Sequence, residues 1–286
     1  MGDNGVENTT NESINRQLFI IMREISFDES KKILTETLKS IDRCCRDNQI
    51  PYSLTWGTLI GAIRHHGIIP WDDDIDLMMK REDYNRFLKI YNDPQYEVYC
   101  PQKTPGFYHI LTKVSNKGTA IYYNFWKDSP HGVWISIFPY DNVPDVESKS
   151  WRLKRSVLLQ LYHIRTSRWT YTRKWYANVV IAISRLFLIP ISPNIMFRQI
   201  EKCLTKYNGQ KTKNISIWDN GYGYTRFARF PSVLFEECID VDFEGGKFSV
   251  IKGYDQFLRQ YYGDYMTPPP VEKQVPSHDY KAYYVD

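Results

Sequence analysis

The sequence predicts an α+β fold: a mixed sheet with flanking helices and a basic helical insertion. Three observations lead there. Strand-length runs follow one another at 96–100, 108–114, 119–123 and 132–138, which suits a mixed or antiparallel sheet. Apolar residues recur at helical spacing ahead of them, in 28–47 and 81–91. From 148 to 208 the pattern turns helical and the charge turns positive.

The elements follow in order. Residues 1–18 are rich in Asn, Thr, Glu and Ser and predict a disordered tail. A helix is expected from Asp28 to Asp47, with Ile33, Leu34, Leu38, Ile41 and Cys45 on one face, ended by Asn48 to Pro51. Tyr52–Thr55 reads as a short strand broken by Gly57, and Thr58 as the cap of a helix reaching His66. Ile75–Met79 reads as a buried strand, and Arg81–Tyr91 as a helix burying Tyr84, Phe87, Leu88 and Tyr91. Residues 176–189 are mostly apolar but too few to cross a bilayer, which takes roughly 20. They fit either a buried helix or one lying in a membrane interface. Asp255–Tyr262 reads as a last helix, and Pro268–Pro270 open an extended tail. The expected units are 19–147 as a catalytic core, 148–215 as the insertion and 216–286 as the core's C-terminal part.

The 286 residues are 42% apolar and 24% charged, which excludes a disordered chain, a collagen-like chain and a disulfide scaffold. The net charge of +4 hides an asymmetry. Residues 149–213 hold fourteen Lys or Arg against one acid, Glu201, a surplus of thirteen, so the rest of the chain nets to −9. No RNA- or DNA-binding module pattern accompanies the basic stretch, so nucleic acid is not an expected partner. The five cysteines show no zinc-site spacing, and residues 1–15 carry no apolar leader, so a reduced cytoplasmic protein is expected.

The most informative stretch runs Trp56-Gly57-Thr58-Leu59-Ile60-Gly61-Ala62, Arg64-His65-His66-Gly67, then Pro70-Trp71-Asp72-Asp73-Asp74-Ile75-Asp76-Leu77. Four aspartates within five residues are costly unless a cation neutralises them. On a strand, Asp74 and Asp76 share one face because the side-chain period is two, and Ile75 and Leu77 would anchor it. Two hard carboxylates on one face describe a Mg²⁺ or Mn²⁺ site; a solvated acidic turn is the plain alternative. Gly57-Thr58, 17 positions ahead of Asp74, would present free backbone N–H groups to an anion at a helix start. A Gly-Thr turn, a D-x-D and a third carboxylate on a later strand form the layout of a nucleotidyltransferase-like fold.

The run from Tyr52 to Met79, continued by Arg81-Glu82-Asp83-Tyr84, resembles the LicD family, whose relatives include fukutin-type ribitol-phosphate transferases. The similarity recurs at Gly132-Val133-Trp134-Ile135-Ser136-Ile137-Phe138-Pro139-Tyr140-Asp141, at Asp242-Phe243-Glu244-Gly245 and at Tyr262-Gly263-Asp264-Tyr265-Met266. The resemblance implies transfer of a substituted phosphate, such as phosphocholine, from a CDP-linked donor to a glycan hydroxyl with release of CMP. It implies Asp74 and Asp76 as metal ligands and Gly57 and Thr58 as holders of donor phosphate. The chain departs from the family at Ser136, which stands where the family carries an acid; Asp141 keeps the motif's second acid.

Other site residues are expected from chemistry. Asp72 and Asp141 are candidate bases. Arg64 suits bidentate phosphate binding or a surface salt bridge. Trp71 and Trp134 lie nearest the motifs and offer aromatic faces to a sugar or a quaternary ammonium, or simply pack in the core. His65, His66 and His278 read as structural or solvated. A GT-A glycosyltransferase also uses D-x-D, but too few residues precede Asp74 for its nucleotide-binding unit. A non-catalytic relative that lost the acid at 136 is the other alternative. The acceptor is expected to be a glycan or its lipid-linked precursor. The basic stretch 149–213 is expected either to dock on the anionic inner face of the plasma membrane or to grip acceptor phosphates.

Overall fold

The computed structural model describes residues 22–107, 109–123, 131–146, 148–166, 175–217, 228–278 and 280–285. The tail expected at 1–18 lies outside the described residues. The first helix, α1 (Phe27–Asp47), starts on a reciprocal cap: the Glu29 N–H donates to Ser26 Oγ (3.3 Å) and the Ser26 N–H to the Glu29 carboxylate (2.9 Å). It buries Leu34, Leu38, Ile41 and Cys45, the face that the periodicity predicts. The two-residue strand β1 (Ser53–Leu54) leads into α2 (Trp56–His65). This helix starts three residues earlier than expected, with Thr55 at its N-cap, so Thr58 is not the cap. The early start is possible because Trp56 takes a left-handed backbone (φ 50°), a costly conformation for a bulky residue. The rings of Phe257 and Tyr261, with centroids 5.6 and 4.6 Å away, hold Trp56 there.

The central sheet has seven strands. Its main path runs β1, β2 (Ile75–Lys80), β6 (Trp134–Val143), β4 (Thr112–Asn116), β3 (Tyr96–Tyr99), and β7 (Asn214–Ile217) joins β6 and β8 (Ala228–Pro231). Among the described residues only β2 and β6 pair in parallel, with Asp76 opposite Ser136. The strand expected at 108–114 runs instead from Thr112 to Asn116, and that expected at 132–138 extends to Val143, where β7 pairs with it. Behind β2 lies α3 (Arg81–Ile90), burying Tyr84, Phe87 and Leu88. Two antiparallel two-stranded pairs are also present. One is β9 (Cys238–Phe243) with β10 (Gly246–Ile251); the other is β5 (Thr119–Tyr123) with β11 (Tyr280–Tyr284). The tail expected to be extended therefore returns as a paired strand. The β9–β10 turn braces the loop after α2: Glu244 accepts from the Ile68 N–H (2.8 Å), and its carboxylate would lie 2.5 Å from a Cβ at Gly67. Only glycine leaves room there.

The basic stretch forms α4 (Lys149–Thr166), α5 (Trp175–Leu188) and α6 (Pro193–Leu204). These helices own a separate core of Leu159, Tyr162, Leu188, Met196, Phe197 and Ile200. The apolar run 176–189 is not the buried helix that hydrophobicity alone suggests. Of α5's residues only Leu188 is buried. The last helix, α7 (Tyr254–Tyr262), buries Phe257 and Leu258.

Candidate active site

The aspartates sit at the edge of the parallel β2–β6 pair. Along this strand Asp74 and Asp76 are part-exposed while Ile75 and Leu77 are fully buried, so both acids lie on one side, as the period of two predicts. Thr58 is 3% exposed, and its hydroxyl accepts from the Asp76 N–H (2.9 Å). Its position sets the backbone of Asp76. Gly57 serves the site by its lack of a side chain: a Cβ there would lie 2.7 Å from Asp72 Oδ2. The Asp72 carboxylate thus rests against the start of α2, where helix N–H groups favour an anion. Gly57→Ala is expected to displace this carboxylate. Transfer activity should fall about tenfold, roughly 1.4 kcal/mol of barrier, with little change in melting temperature; steady-state assays beside a thermal melt check it.

Carboxylate oxygens of Asp72, Asp73 and Asp74 all lie within 4.8 Å of one another. Burial first, then the neighbouring Asp74 and Asp73 charges, pushes the Asp72 carboxyl up to about 7. Burial also raises Asp74, although His278 opposes the shift. Asp73 has a different task. It accepts from the Ser277 and His278 backbone N–H groups (3.3 and 3.1 Å), and its Oδ1 lies 3.0 Å from His278 Nδ1. The Tyr280 hydroxyl donates to the Asp73 carbonyl (3.2 Å). Asp73 therefore clasps the tail, while Asp72 and Asp74 keep carboxylate oxygens within 4.8 Å of its own. Hard, crowded and partly desolvated oxygens fit a divalent ion.

One charged residue escaped the sequence reading. Lys113, on β4, is buried opposite Ser136, with Nζ 3.1 Å from His131 Nε2 and 3.8 Å from the Trp134 ring centroid. Burial drives its amine down to about 7, while Asp74 and Asp76 pull the other way. A cationic group thus faces both acids from the strand beyond β6. Its strand neighbours Thr112, Val114 and Ser115 are all buried too, which the sequence by itself does not signal. Ser136 itself is buried and accepts from Trp134 Nε1 (3.2 Å). Trp134 is thereby shared between Ser136, Lys113 and the tail residues His278 and Tyr280, whose rings lie 5.5 and 5.3 Å away. His278, read as solvated or structural, stands beside the cluster, 3.9 Å from Asp74 Oδ2.

Three expected residues lie elsewhere or are already engaged. Asp141 is five residues beyond Ser136 on β6, about 16 Å along the strand at ~3.3 Å per residue. Its carboxylate is gripped by Arg81 (2.9 and 2.6 Å) and by Asn208 Nδ2 (2.6 Å), an arrangement for structure rather than for a base. Arg64 donates to the Tyr265 carbonyl (2.6 Å) and to His65 Nε2 (2.9 Å), stitching α2 to the segment after α7. Trp71 is half-buried against the main core, edge-on to His65 at 6.2 Å.

Comparison with known proteins shows the family. A family model described as LicD/FKTN/FKRP, nucleotidyltransferase domain, matches residues 49–173. The lipopolysaccharide cholinephosphotransferase LicD of Haemophilus influenzae is 31% identical over 270 residues, covering 92% of this chain and 99% of that protein. Shorter matches occur to uncharacterized proteins of Rickettsia typhi (42% over 57 residues, 20% of this chain and 18% of that one) and Rickettsia prowazekii (41% over 64 residues, 22% and 23%). With this near end-to-end similarity, and the acidic strand edge set beside a nucleotidyltransferase-like sheet, the chain belongs to the LicD family.

Proposed function

We propose that this protein transfers a substituted phosphate, phosphocholine from CDP-choline foremost, to a hydroxyl of a cell-surface glycan or its lipid-linked precursor, such as a lipopolysaccharide. The observation that carries the reading is the acidic edge of β2 set against the start of α2. It stands on a chain similar from end to end to a lipopolysaccharide cholinephosphotransferase. Asp74 and Asp76, with Asp72 beside them, would hold Mg²⁺ or Mn²⁺. Such an ion supplies charge neutralisation to the donor pyrophosphate and the departing CMP. The acceptor oxygen forms a bond to the transferred phosphorus as the bond from that phosphorus to the CMP oxygen breaks; CMP keeps the bridging oxygen. Asp72, set beside those two ligands rather than among them, is the side chain placed to take the hydroxyl proton. Lys113 adds positive charge on the face where negative charge accumulates. Asp73, held by His278 and the tail backbone, keeps the cluster in position.

The test is incubation with a panel of CDP-linked donors, a glycan acceptor and Mg²⁺, scoring free CMP. Metal-dependent CMP release, fastest with CDP-choline, is expected. A nucleoside diphosphate released from a nucleotide sugar would instead mark a glycosyltransferase. One observation favours a second reading, a binding protein without turnover: Ser136 occupies the β6 position opposite Asp76. The Ser136→Asp variant separates the two. The wild-type chain is expected to turn over, with the variant within about tenfold of it (~1.4 kcal/mol), since Asp72 already supplies a third carboxylate. Turnover in the variant alone would establish the binding-protein reading.

A further inference from the structure

The exposed side of α5 is the largest feature that transfer chemistry leaves unused. Trp175, Val179, Val180, Ile183, Leu186 and Phe187 are all exposed, the two ends at 76% and 77%. At about 100° per residue, these positions and Tyr176 fall within one sector roughly 140° wide. No charged residue interrupts that sector. The opposite side of the helix is fastened to α4: Arg185 Nε donates to the Ile164 carbonyl (2.8 Å), and Arg165 Nε donates to the Leu188 carbonyl (3.1 Å). An amphipathic helix normally turns its apolar stripe inward. Here the apolar stripe faces out.

We propose that α5 is a membrane-docking helix whose apolar stripe lies in the headgroup region of an anionic phospholipid bilayer. Three observations select this occupant. The first is length. Fourteen residues span about 21 Å, short of the ~30 Å hydrocarbon core. Among the described residues no single helix is long and apolar enough to cross a membrane. The next helix, α6, follows after a 99° bend and buries Met196, Phe197 and Ile200 in protein, so the two form no straight span, although Ile189, Ile191 and Ile195 are also exposed. The second is charge. Residues 149–213 carry a surplus of thirteen positive charges, and Lys149, Arg152, Lys154, Arg198, Lys202 and Lys206 are exposed around the helix bundle. An anionic surface attracts this segment, whereas a second copy of the chain would present the same charge and repel it. The third is composition. Trp175 and Tyr176 open the stripe and Phe187 closes it, amphipathic and aromatic residues suited to an interface. The inference is independent of which phosphate group the enzyme transfers.

Co-sedimentation with phosphatidylcholine vesicles, with and without phosphatidylglycerol, tests it. The full chain is expected to sediment with the anionic vesicles, to bind neutral ones at least tenfold more weakly, and to lose binding as salt is raised. A Leu186→Glu/Phe187→Glu variant, altered only at exposed positions, is expected to lose at least tenfold in partitioning with an unchanged melt. Trp175→Ala is a second, milder variant expected to weaken binding in the same direction. The idea is overturned if the wild-type chain ignores anionic vesicles or if both variants bind like wild type. It is also overturned if the wild type is a dimer in solution that the double variant disrupts without any vesicle binding, since a second copy would then cover the stripe.

Discussion

An Asp74→Asn variant is expected to release CMP from CDP-choline at least about a thousandfold more slowly than wild type. Loss of one anionic ligand removes several kcal/mol of charge stabilisation, and each ~1.4 kcal/mol is a factor of ten. The same holds for Asp76→Asn, because both carboxylates line one side of β2. The substitutions are near-isosteric and remove like-charge crowding, so the metal-free protein should melt no lower than wild type. What should vanish is the rise in melting temperature expected of the wild type on adding Mg²⁺ or Mn²⁺, since an ion stabilises the folded state only as far as it binds it. Turnover that survives both substitutions would show that the cation sits elsewhere. This pair of readouts separates a lost ligand from a lost fold.

The second large effect concerns stability. Arg81 and Asp141 form a two-bond ion pair with side chains 5% and 6% exposed, and Glu201 lies 3.5 Å from the same guanidinium. Arg81→Met would leave a buried, uncompensated carboxylate, and the expected cost is about 3–5 kcal/mol. Urea unfolding monitored by fluorescence would read it as a lower midpoint at unchanged slope. Adding Asp141→Leu to that variant is expected to recover much of the loss, because the stranded charge is then gone. Below its unfolding transition, each variant should keep near-normal turnover. A turnover loss in Asp141→Asn as large as that in Asp74→Asn would return Asp141 to the reacting centre.

The acidic motif was legible because its signal is local. A strand alternates faces every residue, so Asp-Ile-Asp-Leu already states which side chains are anchored and which are presented. Helix α1 was legible for the same reason, through its 3.6-residue rhythm, while its Ser26–Glu29 cap emerged only from the structure. Lys113 was not legible. A lysine in a strand reads as solvent-facing, and its burial depends on β6 and on Trp134, residues brought alongside only by the sheet order. Thr58 was misread because a Gly-Thr pair suggests a helix cap. The left-handed backbone of Trp56, stabilised by distant rings, moves the start of α2 upstream. Asp141 looked like a catalytic acid by motif, yet its role is decided by Arg81, sixty positions away in sequence. The hydrophobicity of 176–189 was plain, but composition alone does not tell an inner face from an outer one.

The clasp on Asp73 also bears on the order in which the protein matures. Asp73 and His278 are 205 positions apart in sequence, and the strand Tyr280–Tyr284 that follows pairs with β5 and meets Glu24 near the other end of the described chain. During synthesis, most of the sheet can form while the aspartate cluster still lacks its backbone donors and its imidazole. The cluster is complete only after residues 277–284 have left the ribosome. A nascent chain would therefore stay idle until the segment that holds Ser277 and His278 is free to fold against Asp73.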